Sequence, residues 1–235
     1  MGKIGYGYGS EWHLLRYLGY HRECLQNSIL ESTGGSQIQW LDFGFSTVNQ
    51  PLHQDQEWQG IDFIHEPEIR KKWNGFWPQT GNPPNWDAVG KLIGETGEEW
   101  LLVEAKANLK EMNSSCAATH PKRIEMIKKA MLVSQDSFTA SKAPITKWLS
   151  PHYQFCNRLA VLHFLMRECT PSIPARLVFI YFYGDKNGNQ ECPQIAEAWD
   201  SDIQKMYDTI GLDSKTELFQ RVHKIFLPVN PRIRR

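Results

Sequence analysis

The sequence has no excess of charge of either sign, with 26 lysines and arginines against 26 aspartates and glutamates. Global electrostatics therefore advertises no polyanionic partner, and any nucleic-acid surface has to be a local basic patch. Long apolar runs are missing as well. None approaches the roughly 18 residues of a membrane-spanning helix, and the N-terminus lacks the basic, apolar and small-residue succession of a secretory leader. The expectation is a cytoplasmic protein with no membrane partner. Cysteine is scarce and scattered: Cys24, Cys116, Cys156, Cys169 and Cys192 are odd in number and form no CxxC pair. Reduced thiols follow, rather than a disulfide frame or a zinc site. Gly5, Gly7 and Gly9 alternate with Tyr6 and Tyr8, but no Gly-Lys-Ser/Thr comes after them, so the opening is not a phosphate loop. No repeat, low-complexity tract or linker divides the chain. Its 235 residues suffice for one sizeable core, and a single domain over 1–235 is expected.

What is present begins with an amphipathic helix. Ser10 is a fair N-cap, and Leu14, Leu15 and Leu18 form an apolar stripe. Glu11 shares the side of Leu14 and Leu15. Two roles stay open for it: a first-turn acid favoured by the helix dipole, or a carboxylate aimed into a site. A second helix is expected over 21–31. The stretch 37–45, QIQWLDFGF, reads as the first strand and carries Asp42 as a competing acidic candidate. From 47 to 84 the pattern weakens into an aromatic-rich insertion with Trp58, Trp73, Trp77 and a basic Arg70-Lys71-Lys72 run. A short strand at 60–65 and a short helix at 67–73 are expected there. Interleaved basic and aromatic residues can hold a nucleic-acid backbone and stack bases; a loop pinned by its own aromatics is the other reading.

The stretch NWDAVGKLIGETGEEWLLVEAKA, 85–107, reads as a hairpin of strands 86–94 and 99–107 turning at Thr96-Gly97. With those two residues at the turn centre, Asp87 lies opposite Lys106. Strand alternation then puts Asp87, Glu104 and Lys106 on one face. A one-residue slip would send Asp87 to the other face. Beyond it, Ile124, Ile127 and Met131 mark a helix over 122–137, with Lys122, Arg123, Lys128 and Lys129 on its more exposed part. A loop is expected over 141–151, and the most apolar helix over 153–168, with His163 packed in the core. ARLVFIYFY, 175–183, is a strand covered on both faces. A helix over 195–211 and a last strand within 219–229 complete an α/β chain with a central mixed sheet flanked by helices.

Asp87 followed after a hairpin by Val103-Glu104-Ala105-Lys106 resembles the PD-(D/E)XK nuclease superfamily. Trp86 stands where the family name has proline. The resemblance implies a restriction-endonuclease-like core: a first helix, three strands in meander, another helix and a fourth strand. It also implies roles. Asp87 and Glu104 would be metal ligands, Ala105 would lend its backbone carbonyl, Lys106 would be the catalytic lysine and Glu11 the first-helix acid. Some members place Gln-x-x-x-Tyr on the following helix. Here Gln154 is present, but Arg158 replaces the tyrosine, and both become candidate nucleic-acid contacts together with Arg70, Lys71 and Lys72. The run 153–158, YQFCNR, also looks like uncharacterised nuclease-like bacterial proteins.

The implied chemistry is hydrolysis of phosphodiester bonds, in DNA foremost. Mg²⁺ is the implied cofactor with Mn²⁺ as its substitute, since a hard cation takes one or two carboxylates and keeps its waters. Lys106 fits an electrostatic role better than that of a general base, because two carboxylates beside it oppose loss of its proton. Two alternatives stand beside this reading: a catalytically silent nuclease-like module that binds nucleic acid or a protein, and a hairpin whose charges merely form an ion-pair face. Neither monomer nor homodimer is specified.

Overall fold

The computed structural model describes residues 9–41, 57–81, 83–95, 97–140, 143–186 and 191–231. Asp42 and Thr96 lie outside these. Helix α1 (Ser10–Tyr20) buries Leu14, Tyr17 and Leu18, spaced as one helical stripe. Helix α2 (Arg22–Thr33) buries Leu25 and Ile29 and stops at Gly34, which is left-handed at φ 73°, a conformation that glycine adopts without strain. Five strands make the main sheet: β1 (Gln37–Trp40), β4 (Ala88–Gly94), β5 (Gly97–Lys106), β6 (Ala175–Tyr183) and β7 (Val222–Pro228), in the order β1-β4-β5-β6-β7. The β1–β4 and β4–β5 pairs are antiparallel, whereas β5–β6 and β6–β7 are parallel. The protein is thus α/β with a mixed central sheet.

The parallel step from β5 to β6 needs a long crossover. It runs through a 3₁₀ turn (Leu109–Met112), α4 (Pro121–Phe138), α5 (Ile145–Leu149) and α6 (Tyr153–His163), which widens into a π turn over Phe164–Glu168. Helix α5 stands where a loop was expected, because Trp148 on it is fully buried and donates its indole N–H to the Ile210 carbonyl at 2.9 Å. Helix α7 (Asp200–Ile210) joins β6 to β7.

Within the insertion, β2 (Trp58–Gln59) pairs with β3 (Asn85–Trp86), and α3 (Pro67–Phe76) lies between them in sequence. The strand expected at 60–65 is absent. Phe63 and Ile64 are buried one after the other at a corner of the chain, not along a strand ladder. The chain turns instead, with Asp62 N–H on the Gln59 carbonyl and Ile64 N–H on the Ile61 carbonyl.

Each face of the sheet carries a core. Leu101, Val103 and Ala105 of β5 pack with α1 and α2, whereas Leu102 packs with α4 and α6 on the other face. Glu104 and Lys106 share the parity of Leu102 and so lie on the α6 face. Among the described residues, no helix is long and apolar enough to cross a membrane.

Candidate functional site

The hairpin register differs from the expected one by two residues. Gly94 pairs with Gly97 and Ala88 with Val103, so Gly97, at φ 119°, opens β5 instead of standing at the turn centre. Continued by one residue, this register sets Asp87 against Glu104 rather than Lys106. Two residues is the side-chain period of a strand, so the shift leaves Asp87 on the same face as Glu104 and Lys106.

Asp87 itself occupies the break between β3 and β4. Its backbone N–H donates to the Val103 carbonyl at 3.1 Å, and its side-chain Oδ2 accepts from the Ala105 N–H at 2.6 Å. A carboxylate thus takes the place of a strand acceptor, which fixes the side chain beside β5. The preceding Trp86 is fully buried and donates its indole N–H to the Gly60 carbonyl at 2.8 Å. That contact ties the insertion to the start of β4.

Glu104 is 2% exposed. Lys106 Nζ donates to its Oε1 at 2.5 Å, and Arg158 approaches Oε2 through Nε at 2.9 Å and Nη2 at 2.8 Å. Lys106 also donates to Gln154 Oε1 at 2.8 Å. Gln154 and Arg158 are four residues apart on α6, hence on one helix face. Arg158 donates further to Asn157 Oδ1 at 2.6 Å and lies 5.1 Å from the centre of the Trp86 ring. Helix α6 has no side-chain cap at its own N-terminus, but Ser114 Oγ accepts the Gln154 N–H at 2.7 Å and docks the helix beside β5.

These groups open onto one cleft of about 460 Å³, which Glu11 enters from the exposed first turn of α1 and Glu57 and Glu111 from two further segments. The carboxyl group of Asp87 is pushed up to about 8, chiefly by burial and then by the negative charge of Glu104. Burial pushes Glu104 the same way, but the charges and hydrogen bonds of Arg158 and Lys106 outweigh it and hold Glu104 below the usual carboxylate range. Burial also raises the Tyr153 phenol, which keeps that cleft group neutral.

Asp87, Glu104, Ala105, Lys106, Glu11, Gln154 and Arg158 therefore share one cleft. Gln154 and Arg158, read from the sequence as nucleic-acid contacts, here hold Lys106 and Glu104. Arg70, Lys71 and Lys72 do not line this cleft. Arg70 donates to the carbonyls of Ile64 at 2.7 Å and Asp62 at 2.9 Å, closing the turn before α3, and Lys71 and Lys72 are exposed on that helix. Sequence reasoning missed Glu57, Glu111 and Asn157 as cleft residues. Asn157 was discoverable as the neighbour of Arg158, and Glu111 as an acid five residues beyond Lys106. Glu57 had no signal, since its segment lacks periodicity. Among the described residues, no three His, Cys, Asp or Glu side chains come together as a metal-binding group. Compared with known proteins, the chain matches no family model, no curated protein and no solved structure.

Proposed function

We propose that this protein is a Mg²⁺-dependent nuclease of the PD-(D/E)XK kind, with a restriction-endonuclease-like core, that hydrolyses phosphodiester bonds in DNA. One observation carries the reading: an acid, a second acid and a lysine, with a first-helix glutamate and a following-helix glutamine, converge on one cleft from four separate parts of the fold, α1, the β3–β4 break, β5 and α6. The element order supports it too. A first helix, an antiparallel β1-β4-β5 meander, a crossover helix and a parallel β6 follow the order of the core that the resemblance implies, with α2, the β2–β3 pair, α3, α4, α5, α7 and β7 as additions.

The donor set suits a hard divalent cation. Asp87 and Glu104 are adjacent carboxylates, and Glu104 opposes ionisation of Asp87, so a cation between them would relieve like-charge repulsion. Asp87, Glu104 and the Ala105 carbonyl would hold Mg²⁺ or Mn²⁺, with Glu11 at the rim. Such an ion neutralises phosphate charge and lowers the pKa of water. The chain's own residues do the rest. Gln154 fixes the Lys106 ammonium at the cleft, where it stabilises the charge that develops on the phosphoryl oxygens. Arg158 keeps Glu104 ionised and in place.

The test is cleavage of plasmid and single-stranded DNA with Mg²⁺ or Mn²⁺ against a chelator control. Asp87→Ala, Glu104→Ala and Lys106→Ala should each lower the rate by roughly 10²-fold or more, with circular dichroism showing the fold retained. Undiminished cleavage by Glu104→Ala overturns the proposal. A second reading, a nuclease-like binding module without turnover, draws on a specific observation. Both Glu104 oxygens are already held by cationic side chains, which meet the charge that a metal would otherwise meet. Salt-sensitive DNA binding with no hydrolysis at any metal concentration is its signature.

A further inference from the structure

Helices α3 and α4 enclose a groove of about 350 Å³ away from the carboxylate cleft. Its floor is apolar, made by Phe76, Met126, Val133 and Phe164, and a lysine stands on each wall, Lys72 from α3 and Lys129 from α4. Both lysines are exposed, and neither forms an ion pair among the described residues. One acid also lines the groove: Glu168 meets His163 at 3.2 Å, and because burial lowers the pKa of that imidazole, Glu168 keeps its negative charge against the two lysines. Phe76 is half-buried, stacked on His163 at 6.3 Å between ring centres, so part of it faces the groove. Lys122, Met126, Lys129 and Val133 recur at helical spacing on α4, which extends the basic edge beyond the groove. Toward the carboxylate cleft, the Arg123 guanidinium lies against Gly81, two residues before the cleft residue Pro83. Lys129 is about 9 Å farther along α4 at 1.5 Å per residue.

We propose that the α3–α4 groove binds single-stranded nucleic acid, with phosphates on Lys72 and Lys129 and an unstacked base on Phe76. Cations beside a partly open aromatic ring are what a strand needs where backbone charge and base stacking both contribute. In a chain of zero net charge, the concentration of lysines on two adjoining helices supplies the local patch that a polyanion requires. The proposal shares a nucleic-acid partner with the nuclease reading but not its chemistry, and the two fail separately.

The experiment is fluorescence anisotropy of a labelled 15-nucleotide single-stranded DNA with the full chain in chelator, at several salt concentrations. Lys72→Ala combined with Lys129→Ala should weaken binding about tenfold and reduce the slope of log affinity against log salt by about 1.4, or 0.7 for each phosphate no longer neutralised. Phe76→Leu, which keeps an apolar floor, should weaken binding about tenfold with the slope unchanged. Hydrolysis of bis(p-nitrophenyl) phosphate, which carries one phosphodiester and no strand to lay along the groove, should be the same in the lysine variant as in the parent. A parent protein inactive on every substrate would remove the nuclease reading and leave the anisotropy result standing. Unchanged affinity and slope in the lysine variant overturn the groove proposal. So does a poly-glutamate peptide that competes as well as the DNA and loses affinity in the same variant, since the groove is then an acidic-peptide site.

Discussion

Asp87 and Glu104 are adjacent carboxylates that the fold treats in opposite ways. Glu104 has Arg158 and Lys106 against it and stays ionised, while Asp87 has burial and Glu104 against it and is pushed up to about 8. The linkage has a definite sign. Between its ordinary value near 3.8 and about 8, the folded state holds a proton on Asp87 that the unfolded state has released. The stability this contributes is complete below the ordinary value and lost as pH rises through about 8. Asparagine keeps an oxygen for the Ala105 N–H but cannot titrate. In chelator, the stability of the parent relative to Asp87→Asn should therefore fall between pH 4 and pH 9, as urea unfolding of the two proteins would show. Parallel pH curves would mean that Asp87 is not held this way.

At the scale of elements, two short pieces of geometry bring the cleft together. The first is the β4–β5 hairpin, whose register can move by two residues without changing which face Asp87 occupies. The second is the start of α6, capped from outside by Ser114 rather than by its own N-cap residue. That bond places Gln154 against Lys106 and, one turn later, Arg158 against Glu104. Ser114→Ala should cost about 1 kcal/mol of stability, as cap removals do, and raise the hydrogen-exchange rate of the Gln154 amide. Loss of stability without faster exchange at Gln154 would place the effect elsewhere.

For the whole molecule, the sheet is a partition between two cores, with α1 and α2 on one face and α3, α4, α5, α6 and α7 on the other. The cleft opens where β5 runs out, so groups from both layers reach it: Glu11 from α1, Gln154 and Arg158 from α6. Trp86 joins this frame to the insertion through its bond to Gly60 and its ring beside Arg158. Trp86→Phe keeps most of the packing but leaves the Gly60 carbonyl without that donor. It should destabilise the protein by about 1–3 kcal/mol in urea unfolding, and a change within about 0.3 kcal/mol would mean that the bond is replaced by another donor.

By itself the sequence determined the α/β class, the double burial of Ala175–Tyr183 and the common face of Asp87, Glu104 and Lys106. These follow from local periodicities of 3.6 and 2, which survive small errors of boundary and even a two-residue shift of register. Trp148 and Phe63-Ile64 were misread because their conformations answer to distant partners: a carbonyl on α7 in one case, a buried corner in the other. The assignment of Arg158 to Glu104, of Gln154 to Lys106 and of Glu57 and Glu111 to the same cleft came only from the tertiary structure. Side-chain pairings across 48 to 54 residues of chain leave no local pattern, since any lysine or arginine could have met any acid until the crossover helix was docked. The hairpin thus announced an acid-acid-lysine patch. Packing decided which side chains hold it in place and how the charge is divided between its two acids.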